Sequence, residues 1–429
     1  MDKKSLTVTA FALFSLFFGA GNLILPPLLG FLAGPRWWLV ALGFGVTAVL
    51  IPILGILAHA KLQGTLFDLG KKVSPRFSLL YCYVVYAICL ALPSPRTASV
   101  THEMAVAPHW GSAPLWTSTI YFILVFYFVV DRKRILDHLG KVLTPAILSI
   151  LLWIIARAVF GSGHGYVGAA LDHPFNFGML EGYQTFDGLG SVVVGAVIVV
   201  SVNLRFKGAS IAAKKRWIGK AALWAGLGLL SVYTGLVYTG AVYGSSFDPQ
   251  ISRTELLMGI GTRTLGGAAH SLLALLVALA CLTTAIGIVT GAADFVKSRF
   301  QDSHRAFVAT ALIGCVLGVL VGQLEVDLII TVAVPALMFI YPMTIVLILL
   351  NILPQGLASP SVFRSVIWVT ALFSLPDFLE SVGLGDPLRP FTQWIPLGRF
   401  QMGWILPALL VFGVANWRKG GGTDAAIRA

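Results

Sequence analysis

The chain has 429 residues, of which 57% are hydrophobic and only 11% charged, and its mean hydropathy is +0.87. A water-soluble surface cannot be assembled from such a composition, so the chain is expected to live in lipid. The formal net charge of +12 calls for no nucleic-acid partner, because basic loops beside an anionic leaflet give the same balance.

A helix crosses the hydrocarbon core with about 20 apolar residues. Runs of that kind, apolar on every face, recur along the chain and exclude the alternating strands of a membrane barrel. Read between charged and Gly/Pro-rich interruptions, they predict an all-α polytopic membrane protein of about twelve spans, at residues 7–33, 38–60, 77–98, 115–130, 141–160, 175–204, 219–243, 270–293, 306–322, 328–351, 361–377 and 400–416. The first run resembles a signal peptide, but it is too long and leads into Asn22 and Pro26-Pro27 without a cleavage pattern, so a retained helix is expected. Loops assigned alternately from a cytoplasmic N-terminus place 23 of the 30 Lys and Arg inside. Six lie outside (Arg36, Arg96, Arg253, Arg263, Arg389 and Arg399) and Arg157 falls within the fifth span. The positive-inside rule then predicts a multi-pass bacterial inner-membrane protein with both termini cytoplasmic. Cys82, Cys89, Cys281 and Cys315 all lie in apolar runs and imply no disulfide framework.

Function is sought where polar or helix-breaking residues persist at membrane depth. In the first span, Gly19-Ala20-Gly21-Asn22 interrupts a run that is otherwise apolar from Leu6 to Leu32. In the sixth, the stretch from Glu181 to Gly190 separates a short piece, Pro174 to Leu180, from a long apolar half. The two interruptions hold the same place in two five-helix halves, the pointer to an inverted-repeat transporter with its site at the midplane. The repeats would cover about residues 7–160 and 175–351, with two extra C-terminal helices at about 361–416, all in a single transmembrane domain spanning 1–429. Unwinding a helix frees N–H groups at one half-helix end and C=O groups at the other, which suits the carboxylate and ammonium of an amino acid. Close helix packing also accounts for Gly-rich stretches.

Ala280-Cys281-Leu282-Thr283-Thr284 in the eighth span places two adjacent hydroxyls in a membrane helix. Such hydroxyls bond back to a carbonyl one turn earlier. Together with the Ala280 carbonyl and unpaired carbonyls of the broken first helix, they also form an oxygen set without carboxylates, which suits Na+ better than a divalent ion.

The stretch from Phe14 to Pro27, Phe-Ser-Leu-Phe-Phe-Gly-Ala-Gly-Asn-Leu-Ile-Leu-Pro-Pro, resembles the N-terminal signature of the bacterial branched-chain amino acid:cation symporters. Leu180 to Asp187 is similar to that family's Gly-Tyr-x-Thr-Met-Asp motif, and Ala280 to Gly287 to its eighth-helix motif. The likeness covers essentially the whole chain. The family is in turn similar to transporters of the leucine-transporter fold, with helices one to five and six to ten as inverted repeats and helices one and six broken. The resemblance implies a Na+ site made by the carbonyls of Ser15, Phe18 and Ala280 and the hydroxyls of Thr283 and Thr284. It implies a substrate carboxylate at the N–H groups of Gly19, Ala20, Gly21 and Asn22, a substrate ammonium at carbonyls around Tyr183 and Thr185, and Phe186 beside the side-chain pocket. The chain departs from the family pattern in the third helix, where only Pro95-Arg96-Thr97 of Gly-Pro-x-x-Ala-x-Pro-Arg-Thr is present, Cys89-Leu90 stand for Gly-Pro, and Pro93 is extra. Phe186 replaces the motif's Met, and Gly188 and Gly190 replace Ala.

Among charged residues, Asp187 fits either the N-cap of a half-helix or a contact for substrate or a proton. His102, Glu103, Glu181 and Arg96 fall near outer span ends, within reach of water by snorkelling. His109, His164 and His173 lie in outer loops without metal-ligand spacing. A Gly-rich phosphate loop is absent from the sequence. The leading expectation is therefore a symporter, not an enzyme, that imports Leu, Ile or Val with Na+ by alternating access. Proton coupling through Asp187 or Glu103, or a broader neutral amino acid range, is the alternative. A polytopic membrane enzyme would need clustered Asp, His and Glu at one membrane face, and a passive channel suits two helix breaks less well. The expected partners are the amino acid, the coupling ion and membrane lipid; no oligomeric state follows from the sequence.

Overall fold

The computed structural model describes residues 3–131, 136–161, 166, 171–392 and 394–427. Arg132, Lys133, Arg134, His164 and Arg428, which entered the loop assignment, lie outside the described residues. The regular elements among the described residues are helices: α1 (Lys3–Phe17), α2 (Ala20–Ala33), α3 (Trp37–Gly45), α4 (Ile51–Leu62), α5 (Leu66–Gly70), α6 (Pro75–Ala91), α7 (Pro93–Thr101), α8 (Ala107–Trp110), α9 (Pro114–Val130) and α10 (Leu136–Phe160). There follow α11 (Pro174–Tyr183), α12 (Asp187–Arg205), α13 (Ile211–Tyr243), α14 (Arg253–Arg299), α15 (His304–Val321), α16 (Val326–Ile352), α17 (Pro360–Ser381), α18 (Arg389–Thr392) and α19 (Ile405–Ile427). Among the described residues, seven helical stretches, including Pro75–Val106 and Val326–Ile352, are long and apolar enough to cross a membrane by length and composition. Shorter apolar helices cover other predicted spans, such as Pro114–Val130 and Ile405–Trp417.

Two elements differ from the sequence reading. The third span, expected as one helix, is interrupted at Leu92 (φ −122°, ψ −71°) between α6 and α7. Pro93 is the cause, since it lacks an N–H and drives the residue before it out of the helical region. The segment before residue 270, expected as an outer loop, is helical from Arg253. Ser252 and Glu255 form a capping box there: the Ser252 hydroxyl accepts from the Glu255 N–H at 3.3 Å and Glu255 Oε2 accepts from the Ser252 N–H at 3.2 Å. This helical segment meets the eighth span at Gly266, whose φ of 74° is open to glycine and strained for other residues.

The chain divides into two compact units. The first comprises Met1–Leu50, Tyr86–Gly190 and Lys220–Thr331, and the second Ile51–Val85, Ser191–Gly219 and Val332–Ala429. In the first, α14 packs against α2, α7, α10 and α15, and α3 packs against α11. Glycines bring backbones together, as small residues do in membrane interfaces. A Cβ at Gly43 would meet the Phe175 carbonyl and one at Gly178 the Val40 carbonyl, which fixes α3 on α11; Gly30 and Gly240 play the same part between α2 and α13. In the second unit α17 packs against α19, and the buried His59 ring faces the carbonyls of Gly64 and Val192 at 3.1 and 2.9 Å.

Candidate functional site

The two helix breaks both lie in the first unit. After Phe17 the chain leaves the helix for two residues, and Gly19 is extended (φ −110°, ψ −169°). The Phe18 N–H donates to the Phe14 carbonyl at 2.9 Å and the Gly19 N–H to the Phe17 carbonyl at 3.0 Å. These turn bonds occupy neither the Ser15 nor the Phe18 carbonyl, the two oxygens the family resemblance assigned to a cation. The Gly19 N–H, by contrast, is committed to Phe17, so the donors at the start of α2 are those of Ala20, Gly21 and Asn22. No side chain caps them.

The glycines of this break admit two neighbours. A Cβ on Gly19 would stand 3.2 Å from Thr284 Oγ1, and one on Gly21 would collide with Arg96 Nη2. The first break is therefore pressed between α14 and α7. On α14 the hydroxyls of Thr283 and Thr284 both donate to the Ala280 carbonyl, at 2.8 and 3.1 Å, the back-bonded arrangement. Their oxygen lone pairs stay available to a cation, and the Thr284 oxygen is the one adjacent to Gly19. Thr283 and Ser15 are half-buried on their own helices.

The second break spans Gln184 to Phe186. The Tyr183 carbonyl accepts the Phe186 N–H at 3.0 Å, and the Gly182 carbonyl accepts both the N–H and the hydroxyl of Thr185, at 3.3 and 2.9 Å. The Tyr183 carbonyl, expected near a substrate ammonium, thus accepts one turn hydrogen bond and keeps a second lone pair. Phe186 has φ 60°, a left-handed conformation uncommon outside glycine, and it turns the chain into α12. The N-cap expectation for Asp187 is corrected as well. Thr185 Oγ1 accepts the Asp187 N–H at 3.2 Å, while the Asp187 carboxylate points away to Asn22.

Asn22 ties the breaks together. Its amide Nδ2 donates to Asp187 Oδ2 at 2.5 Å and also to the Tyr233 hydroxyl of α13. Asn22, Asp187 and Tyr233 are all buried, as buried polar groups are when mutually hydrogen-bonded. Rings close the apolar side: Phe18 stacks on Phe14 and Tyr233 at 5.0 and 6.2 Å, and Phe44 meets Tyr233 edge-on at 5.4 Å.

Arg96 is the residue the sequence reading misplaced. Assigned to an outer span end within reach of water, it is only 3% exposed. The break at Pro93 directs α7 so that Nη1 donates to the Gln184 carbonyl at 2.8 Å, and the Phe186 ring lies 5.2 Å from the guanidinium carbon. His102 is likewise buried, with Nδ1 2.9 Å from the Thr117 hydroxyl. Glu103 accepts from the Thr254 hydroxyl at 2.6 Å and the Val326 N–H at 2.9 Å. Arg253 lies between Asp327 (3.2 Å) and Glu181 (3.8 Å). Protein partners thus serve these groups where snorkelling to water was expected. The Pro-flanked arginine in an apolar run was the available signal for Arg96.

Several known proteins resemble this chain. The family model described as branched-chain amino acid transport protein matches residues 2–418. The branched-chain amino acid transport system 2 carrier protein of Pseudomonas aeruginosa is 34% identical, covering 96% of this chain and 95% of its own length. The branched-chain amino acid permease BraB of Bacillus subtilis is 32% identical, over 95% and 94%, and the permease BrnQ of Escherichia coli 31%, over 100% and 99%. All three are named as carriers or permeases rather than as enzymes. Among solved structures, MhsT in complex with L-phenylalanine aligns with a TM-score of 0.57 at 15% identity, over 96% of this chain and 98% of that one. A Na+-coupled sialic acid symporter aligns with a TM-score of 0.56 at 11% identity, over 95% and 89%. These structural likenesses establish a leucine-transporter-type fold. With its sequence matched almost end to end, the chain belongs to the family of branched-chain amino acid transport proteins.

Proposed function

We propose that this protein is a Na+-coupled symporter that imports leucine, isoleucine or valine across the bacterial inner membrane by alternating access, with both termini cytoplasmic. The observation that carries the reading is the packing of the first helix break against Thr284: Gly19 lies where a single methyl would stand 3.2 Å from that hydroxyl oxygen. In this reading Na+ takes the carbonyls of Ser15, Phe18 and Ala280 and the hydroxyls of Thr283 and Thr284. The substrate carboxylate takes the N–H groups of Ala20, Gly21 and Asn22, and its ammonium takes the Thr185 carbonyl. The ion then favours the arrangement that binds substrate through its differential affinity for it. The names of the Pseudomonas, Bacillus and Escherichia relatives support the substrate class.

Labelled leucine uptake into proteoliposomes tests the coupling. An imposed inward Na+ gradient should drive accumulation, and Thr284→Ala should raise the Na+ concentration for half-maximal uptake by about tenfold, the loss of ~1.4 kcal/mol. Uptake indifferent to Na+ would overturn the sodium assignment. One observation favours a second reading, proton coupling: Asp187 is a buried carboxylate at the second break, hydrogen-bonded to Asn22. Uptake driven by a pH gradient without Na+, and lost in Asp187→Asn, would establish it.

A further inference from the structure

Arg96 holds a cation inside the unit that contains both helix breaks, and burying an unneutralised guanidinium is costly. Its hydrogen bonding is incomplete. Nη1 is committed to the Gln184 carbonyl at 2.8 Å, but Nε is fully buried without a hydrogen-bond partner. Nη2, which with Nε forms the side-on fork of the guanidinium, lies against Gly21 where any Cβ would collide with it. The open edge is therefore turned toward the N-terminus of α2, whose first N–H groups no side chain caps. Asp187, the carboxylate that attracts Arg96 through space, has Oδ2 on Asn22 instead. The Phe186 ring at 5.2 Å shields the guanidinium on one side without supplying an acceptor for the edge.

An Nε–Nη2 edge has the geometry of a carboxylate: two parallel donors for two oxygens. We propose that Arg96 binds the carboxylate of the transported amino acid, as a bidentate partner that supplements the backbone N–H groups of Gly21 and Asn22. Substrate then neutralises a buried charge, and the unneutralised edge left in its absence disfavours closing the site empty. This rests on the amino-acid reading of the site.

The test uses the purified full-length protein and direct binding of labelled leucine and labelled leucinamide, the same side chain with a neutral amide for the carboxylate. Wild type should prefer leucine by about 100-fold or more, because a site built to hold a buried ionic partner rejects the analogue that lacks it. Arg96→Gln should bring the two affinities within about tenfold by weakening leucine alone. Arg96→Lys keeps the charge and loses the fork, so it should weaken leucine by roughly tenfold and leave leucinamide unchanged. Equal losses for both ligands in either variant, or leucine binding unchanged in both, would overturn the proposal and leave Arg96 a structural cation. A wild type that binds no leucine would instead contradict the amino-acid reading itself.

Discussion

Between α1 and α2 the chain is interrupted by two residues, Phe18 and Gly19, held by backbone turns with no side-chain cap. Between α11 and α12 it is interrupted by three, with the Thr185 hydroxyl bonded on both sides and Phe186 at φ 60°. The first break offers backbone groups and uses glycine to let α14 and α7 come close. The second commits much of its backbone to its own turn and offers side chains, above all Asp187. Positions that correspond in the repeat pattern need not share chemistry, and here each break contributes what the other lacks.

This contrast is open to mutation. The largest effect is expected for Gly21→Ala, because the added methyl collides with Arg96 and overpacking of this kind costs ~1–3 kcal/mol. Leucine uptake should then fall roughly 10- to 100-fold while the protein stays monodisperse; wild-type uptake would show that the first break does not depend on close approach. Asn22→Ala should come next, since it leaves Asp187 and Tyr233 without their shared donor, a loss of about 1–3 kcal/mol. A lowered thermal unfolding midpoint in detergent checks this, and an unchanged midpoint would mean that the breaks are not tied through Asn22. The smallest effect is expected for Thr185→Val, which removes a cap worth ~1 kcal/mol. It should lower the midpoint less than Asn22→Ala does, and the reverse order would place the stability of the second break in its own turn rather than in its link to the first.

Both breaks were legible in the sequence because glycine, amide and carboxylate residues stand out in a run that lipid otherwise keeps apolar. Their partners were not. Arg96 reads as a snorkelling residue so long as the third span is taken as one straight helix, and only the interruption at Leu92 and Pro93 redirects it. The helix that starts at Arg253 was hidden because its residues are too polar for a span, although Ser252 and Glu255 carry a capping signature. Asp187 was read by its place at a half-helix start, a local rule, whereas its actual partner Asn22 lies 165 residues away in the chain. Hydropathy and motif spacing locate a break; which side chains from other helices complete it is decided by tertiary packing.

In the proposed function the first break and Thr284 together hold a cation that favours amino-acid binding. The most direct test of this is equilibrium binding of labelled leucine to the purified protein across a Na+ series at constant ionic strength, for wild type and Thr284→Ala. The account predicts that leucine affinity rises with Na+ in the wild type and that the rise moves to higher Na+ in the variant. Leucine affinity independent of Na+ in both proteins would contradict it.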